Sequence, residues 1–167
     1  MNPIKIAVII LVNFILQVTV LNNLSIGSTV PNTSLIIVVA LSLIAGKRSG
    51  AVAGLVSGLL QDVMFSGVIG INTLGLFSVG LLVGSLDQKV FKENLFLPFV
   101  LTLSATVFMY FVQFFFLYFL KIEVSFIDLI LGDMIKELIY NGAITVFIYK
   151  AMLSSYKEPS VKFTRGL

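Results

Sequence analysis

The sequence places a carboxylate, Asp62, inside a long apolar run, where a charged side chain is costly unless it is paired or hydrogen-bonded. Gly50, Gly54, Gly58 and Asp62 follow one another at four-residue intervals, so neighbouring members share one face of a helix. Glycines at that spacing let a second helix backbone approach closely. Asp62 therefore either accepts hydrogen bonds from N–H groups of the turn at 66–70, or contributes a polar group to a pocket that partners bind.

The turn after this helix, Ser-Gly-Val-Ile-Gly, contains the glycines Gly67 and Gly70. Glycine adopts backbone angles that other residues disfavour, so both are predicted to permit a tight reversal of the chain. The reversal would bring Asn72, near the start of the next helix, opposite Asp62. These residues are candidates for a structural or partner-binding site.

A second group of polar and small residues follows a helical period in the last apolar segment. Its members are Asp128, Gly132, Asp133, Lys136, Glu137 and Asn141. Charges of this density within a membrane segment indicate function, and Asp133, Glu137 and Asn141 are the candidate residues. The alternative is an internally neutralised helix, since Asp133 and Lys136 are three residues apart and can form an ion pair. The sequence leaves open whether 126–137 is intramembrane or interfacial.

Polar side chains also occur in the first and fifth apolar segments. Asn13 and Gln17 are four residues apart and are predicted to form hydrogen bonds between helices. In the fifth segment, Tyr110 and Gln113 stand within the aromatic run at 108–119. That run favours a surface facing lipid or a partner over a path for ions, because few of its side chains can replace water around a solute.

The side chains on which most enzymes depend are scarce in this sequence. The chain has no cysteine and no histidine, which removes thiolate chemistry, disulfides and the commonest metal ligand. No glycine-rich loop ends in a lysine, and no nucleophile has a base beside it. We therefore predict no enzymatic activity, no cofactor and no metal. The net charge of +3 does not indicate nucleic acid, because basic residues in membrane proteins report topology first.

The elements that must position these residues are membrane helices. Hydrophobic residues make up 58% of the chain and charged residues 11%, and the mean hydropathy is +1.08, which predicts an all-α integral membrane protein. Six apolar segments approach the roughly 20 residues that a crossing needs. Their predicted ranges are 4–24, 31–45, 50–65, 71–86, 95–120 and 126–152. Pro31 suits a helix start, since its missing N–H would have no helical partner there.

The basic residues predict six crossings with both termini in the cytoplasm. Basic residues concentrate on the cytoplasmic side of membrane proteins, and this topology leaves only Lys121 in an outer loop. The basic residues then inside are Lys5, Lys47, Arg48, Lys89, Lys92, Lys150, Lys157, Lys162 and Arg165. Residues 1–153 would form one six-helix transmembrane domain, and 154–167 a short basic tail. That tail is either a solvated end or a contact to anionic lipid headgroups or a cytoplasmic partner.

Three stretches of the sequence carry a family pattern: VPNTSLIIVV at 30–39, GKRSGAVAGLVSGLLQDVMFSGVIGINTLG at 46–75, and VSFIDLILGDMIKELIYNG at 124–142. The most specific part is G-x-x-x-G-L-x-x-D followed by S-G-x-x-G-x-N. It is carried by Gly54, Gly58, Leu59, Asp62, Ser66, Gly67, Gly70 and Asn72. Pro31 with Asn32, and Asn141 with Gly142, agree as well. The chain resembles the rod shape-determining MreD family over nearly its whole length.

The resemblance implies a multi-pass component of the bacterial cytoplasmic (inner) membrane without enzymatic activity of its own. It would act in the elongation complex that directs lateral peptidoglycan synthesis and maintains rod shape. Its direct partner would be the single-span scaffold protein MreC, which would link it to RodA with its transpeptidase and to MreB filaments. Membrane lipid is a further implied partner, and the sequence leaves a homodimer open.

The family is also similar in fold to the S components of energy-coupling-factor vitamin transporters, which supplies an alternative function. An S component binds a small molecule in an outward-facing pocket, and Asp62, Asn72, Asp133 and Glu137 would be available for one. These residues are mostly acidic, and the chain has no tryptophan. The set therefore fits structural hydrogen bonds, or a polar cavity that engages a protein segment, better than a cage for a heterocycle.

Overall fold

The computed structural model describes residues 3–19, 29–65, 67–86, 95–122 and 132–156, and within these ranges the chain forms six α-helices and no strand. The helices are α1 (Pro3–Thr19), α2 (Thr33–Ala45), α3 (Lys47–Phe65), α4 (Ile71–Gly84), α5 (Phe96–Phe119) and α6 (Ile135–Ser155). The predicted all-α class is therefore confirmed. Asp128 and the predicted helical positions 20–24 and 126–131 lie outside the described residues, as does most of the tail at 154–167.

The central helix of the bundle is α2. Every residue from Thr33 to Ile44 is buried, and the helix contacts each of the other five. Its sequence TSLIIVVALSLIA has no charged side chain and is apolar on all sides, which is the composition of a helix that neighbours surround. Leu35, Val38 and Leu41 have no exposed surface, so the apolar core of the molecule is built around this helix.

The helices α3 and α4 pack with their backbones close together, and glycines make this possible. A β-carbon added at Gly54 or Gly58 would collide with the α4 backbone, and one added at Gly80 or Gly84 would collide with the α3 backbone. Both helices therefore contribute small residues to the same contact. The predicted packing role of the glycine stripe in α3 is confirmed.

Two glycines have positive φ angles and shape the connections on either side of α3. Gly46 (φ 93°) separates α2 from α3, and Gly70 (φ 111°) precedes the first residue of α4. The prediction for Gly70 is confirmed, because other residues disfavour such angles. For Gly67 the prediction is wrong: its φ is not positive, and a β-carbon there would meet no atom within 4 Å.

Some helix boundaries differ from the predicted ones for local reasons. α2 begins at Thr33 rather than at Pro31, because the Asn32 side chain caps its first turn. α3 begins at Lys47, three residues before the predicted start, since the reversal at Gly46 takes only one residue. The α-helical part of α6 begins at Ile135 and follows a short π-helical stretch at 132–134.

The outer surface of the bundle is rich in large apolar side chains. On α5, Phe111, Phe115 and Phe119 are 67%, 49% and 66% exposed, as expected for a face toward lipid or a partner. Within the described ranges, α5 is the one helix long and apolar enough to cross a membrane by length and composition; α1, α2 and α4 are apolar but shorter. An exterior of this kind is unfavourable in water.

Candidate functional site

Most of the buried and half-buried polar side chains gather where α1 and α3 end, where α2, α4 and α6 begin, and along the second half of α5. We call this region the polar end of the bundle. Its members include Gln17, Asn32, Gln61, Asp62, Asn72, Tyr110, Gln113, Glu137 and Asn141. All six helices contribute to it, although their residues are far apart in the sequence.

Asp62 is fully buried, and its carboxylate accepts four hydrogen bonds. The donors are the backbone N–H groups of Gly70 (2.8 Å), Asn72 (3.0 Å) and Thr73 (2.9 Å), and the Thr73 hydroxyl (2.5 Å). Since α4 begins at Ile71, these N–H groups belong to its first turn, where no intrahelical partner exists and the helix dipole favours a negative charge. A side chain of α3 thus caps α4, which is the first of the two interpretations of Asp62.

Asn32 links the start of the central helix to α3 and α6. Its Oδ1 accepts from the backbone N–H of Leu35 (3.1 Å), which caps α2, and from Nε2 of Gln61 (3.1 Å). Its own backbone N–H donates to Oδ1 of Asn141 (2.9 Å). Pro31 is buried directly before this cap but lies outside the helix.

Asn141 extends the cluster into α5 and α6. It is fully buried, and its Nδ2 donates to Oγ1 of Thr106 (3.0 Å) and to Oε1 of Glu137 (3.2 Å). The other carboxylate oxygen of Glu137 accepts from the Tyr110 hydroxyl (2.8 Å). Glu137 is therefore held between two helices by neutral donors.

Asp133, one turn before Glu137, contacts the chain that leads into α2. Its Oδ1 accepts from the Thr29 hydroxyl at 3.1 Å. Lys136 is exposed. The alternative of an Asp133–Lys136 ion pair stays a prediction.

The first helix joins the cluster through Asn13 and Gln17. Nδ2 of Asn13 donates to Oγ of Ser34 (2.9 Å), whose hydroxyl donates to Oε1 of Gln17 (2.8 Å). Gln17 Oε1 also accepts from Nε2 of Gln61 at 3.4 Å. The predicted hydrogen bonds between helices are confirmed for both residues.

A cavity of about 280 Å³ opens within the polar end. We call it the polar cavity, and it is lined by Gln17, Val30, Asn32, Gln61, Phe65, Asn72, Gln113 and Glu137. Six of these eight side chains can form hydrogen bonds. The lining can therefore bind or position a polar group.

The structure brings together most of the residues predicted as a site, in two places. The polar end holds Asn32, Asp62, Asn72, Asp133, Glu137 and Asn141, with Pro31 and Gly70 at the adjoining helix starts. Gly54 and Gly58 lie instead in the contact between α3 and α4, and Gly67 is exposed in the turn. The glycines thus shape the scaffold that carries the polar side chains.

Several members of the cluster had no inward role predicted from the sequence, and Tyr110 and Gln113 belong to a run that was predicted to face lipid or a partner. Thr106, Tyr110 and Gln113 point inward from a helix whose aromatic residues drew attention to its outside. Their spacing of four and three residues marks one helical face and would have been the signal for them. Thr73 and Ser34 have no such signal, because a single hydroxyl in an apolar run has many explanations.

The fold and the cluster define a class: a helical bundle with an apolar exterior, a central apolar helix and a hydrogen-bonded polar end. A family model described as rod shape-determining protein MreD matches residues 2–157. The chain belongs to this family, whose members are membrane proteins that determine rod shape. No curated protein and no solved structure matches it.

Proposed function

We propose that the chain is a non-enzymatic component of the bacterial elongation complex, and that it binds an MreC-like single-span scaffold protein to help direct lateral peptidoglycan synthesis. The observation that carries this proposal is the family match over residues 2–157. Through the scaffold protein it would be linked to RodA, its transpeptidase and MreB. The exposed apolar exterior fits a location in the cytoplasmic membrane, in contact with lipid.

The proposed topology has six crossings, both termini in the cytoplasm, a transmembrane domain at 1–153 and a basic tail at 154–167. Four of the six described basic residues support it, while Lys121 and Lys136 are exposed at the polar end. Lys5, Lys47, Arg48 and Lys150 are exposed at the end of the bundle opposite the polar end, which would be the cytoplasmic end. A fold like that of transporter S components is part of the proposal and rests on the sequence resemblance.

The polar end would face outward in this topology and shape the surface that the scaffold protein contacts. Asp62 fixes the start of α4, and Asn32 and Asn141 fix the start of α2 against α6. Together they hold helix starts whose positions determine that surface. A homodimer is compatible with the same arrangement.

The test is recovery of the scaffold protein with an affinity-tagged chain from membranes of a rod-shaped bacterium, combined with measurement of cell width. We expect wild type to retain the scaffold protein in stoichiometric amount and Asp62→Ala to lose most of it at equal abundance of folded chain. Gly67→Ala is the matched control, because Gly67 is exposed in the same turn and a β-carbon there meets nothing. Gly80→Ala would be an unsuitable control, since its β-carbon would collide with the backbone of α3.

Failure of wild type to retain the scaffold protein would contradict the partner proposal. Equal retention and equal cell width for Asp62→Ala and Gly67→Ala would leave the family membership intact and remove the role of the polar end in binding.

A further inference from the structure

We infer that the polar cavity binds a positively charged group with several N–H donors, an ammonium or a guanidinium. The first observation is the composition of its wall. Among the eight described residues that line the cavity, Glu137 is the one ionisable side chain, and asparagine and glutamine amides make up five of the others. An acceptor-rich wall around a carboxylate is suited to a cation.

The second observation is that Glu137 has no cationic partner of its own within the described residues. Its hydrogen-bond donors, the Tyr110 hydroxyl, Nδ2 of Asn141 and the Asn32 side chain, are all neutral. Throughout the described ranges, each lysine and arginine is exposed. A half-buried carboxylate without a countercharge is unfavourable, so an external cation would stabilise it.

Asp62 shows why this inference applies to Glu137 alone. Asp62 is also buried, but three backbone N–H groups and a hydroxyl surround its carboxylate at the positive end of α4. The donors to Glu137 are neutral side chains rather than a helix start, and Glu137 stands one turn from a second acidic residue, Asp133. Two like charges at this spacing repel each other, which strengthens the need for a cation nearby.

The third observation is the orientation of Gln61, which is only 4% exposed. Its Nε2 donates to Oε1 of Gln17 and Oδ1 of Asn32. Among the described residues no donor reaches its Oε1, so that oxygen is left as an acceptor in the cavity wall. A group with several N–H donors can bridge this oxygen and the Glu137 carboxylate.

The cavity size limits the ligand. Its volume of about 280 Å³ lies just below the range of pockets that hold drug-sized molecules. A lysine or arginine side chain inserted by another polypeptide has the required chemistry, and so has a small free amine. Either source would place a cation in the cavity, and the scaffold protein need not supply it.

The experiment compares methylguanidinium with N-methylurea, a neutral probe of nearly the same shape, on the full chain in detergent. We expect millimolar methylguanidinium chloride to raise the thermal unfolding midpoint above that in N-methylurea or in equimolar sodium chloride. The variant Glu137→Gln keeps the side-chain shape and removes the charge, so it should weaken the apparent affinity by about tenfold or more. Ile139→Ala, on the same helix but 69% exposed and outside the cavity lining, should preserve the preference for the cation.

The wild-type comparison decides the question even if Glu137→Gln does not fold. Equal midpoints of the wild type in methylguanidinium, N-methylurea and sodium chloride would overturn the inference, and so would a cation effect that Glu137→Gln retains in full. Mass spectrometry of the chain purified from its own membranes then identifies the source. A bound small amine would identify a free ligand, whereas a polypeptide whose retention depends on Glu137 would identify an inserted side chain.

Discussion

The Asp62 carboxylate is fully buried and Glu137 is half-buried, and the chain accommodates the two in different ways. Asp62 uses backbone donors that the first turn of α4 supplies in any case. Glu137 uses the neutral side chains of Tyr110, Asn141 and Asn32, which come from different parts of the chain. The first arrangement fixes a turn, and the second leaves an acidic group beside a cavity.

Replacement of Asp62 by alanine should destabilise the protein, because three backbone N–H groups and the Thr73 hydroxyl would lose their buried acceptor. The expected cost is at least about 2 kcal/mol. For a chain of this size that corresponds to a thermal midpoint lower by about 5 °C. The measurement is the folded fraction after heating in detergent, followed by size-exclusion chromatography.

The matched control is Val63→Ala, the next residue of the same helix, whose side chain is 65% exposed. It should unfold within about 2 °C of wild type. If Asp62→Ala and Val63→Ala unfold at the same temperature, the four hydrogen bonds do not contribute net stability.

The sequence indicated some of these residue roles and missed others for identifiable reasons. Asp62 was predictable, since a carboxylate before a glycine-rich turn has N–H groups within reach. Gly67 was misinterpreted because composition shows that a turn is present but not which of its residues takes a positive φ. Tyr110 was placed on the correct helix, but its partner Glu137 is 27 residues away, and a single sequence cannot reveal such a contact.

Among the helices, the pair α3 and α4 has the contact most sensitive to side-chain size. Gly54 and Gly58 face the backbone of α4, and Gly80 and Gly84 face the backbone of α3. A neighbouring backbone cannot rotate away as a flexible side chain can. The contact therefore tolerates no β-carbon without separation of the helices.

Gly58→Ala should be destabilising even though alanine is the better helix former. The gain in helix propensity is about 1 kcal/mol, whereas overpacking costs about 1–3 kcal/mol, and here the colliding atoms are the Thr73 and Asn72 backbone. We expect a thermal midpoint lower by several degrees. In Gly67→Ala, where no atom lies near, the midpoint should stay close to wild type. If Gly58→Ala were as stable as wild type, the backbones of α3 and α4 would have to lie farther apart than in this structure.

At this scale the sequence predicted the order and approximate extent of the helices well. The boundaries shifted where a single residue decided them, as at Asn32, which caps α2, and at Gly46, which separates α2 from α3. Hydropathy alone does not register a cap or a one-residue reversal. The central position of α2 followed from its composition, since it is apolar on every side.

In the whole molecule, three regions follow from the packing of one central helix. The apolar core surrounds α2, the large exposed apolar side chains form the exterior, and the polar residues collect at one end. Composition predicted the exterior. The gathering of polar residues from all six helices at one end required the packed structure, because it depends on which helix ends are neighbours.

The orientation of the molecule in the membrane can be tested with single cysteines, because the chain has none of its own. Arg48 and Lys121 are both exposed. Arg48 is near the start of α3, and Lys121 follows the end of α5. The proposed topology therefore puts the two residues on opposite sides of the membrane. A membrane-impermeant maleimide should label Lys121→Cys in intact cells with a permeable outer envelope. It should label Arg48→Cys only after the cytoplasmic membrane is opened.

The cysteine-free wild type gives the background, and normal cell width shows that each variant still functions. Labelling of Arg48→Cys but not Lys121→Cys in intact cells would invert the proposed orientation and place the polar cavity toward the cytoplasm. Labelling of both would contradict a single orientation with the two positions on opposite sides. Because the polar cavity lies at the Lys121 end, the expected labelling would also mean that a cation reaches Glu137 from outside the cell membrane.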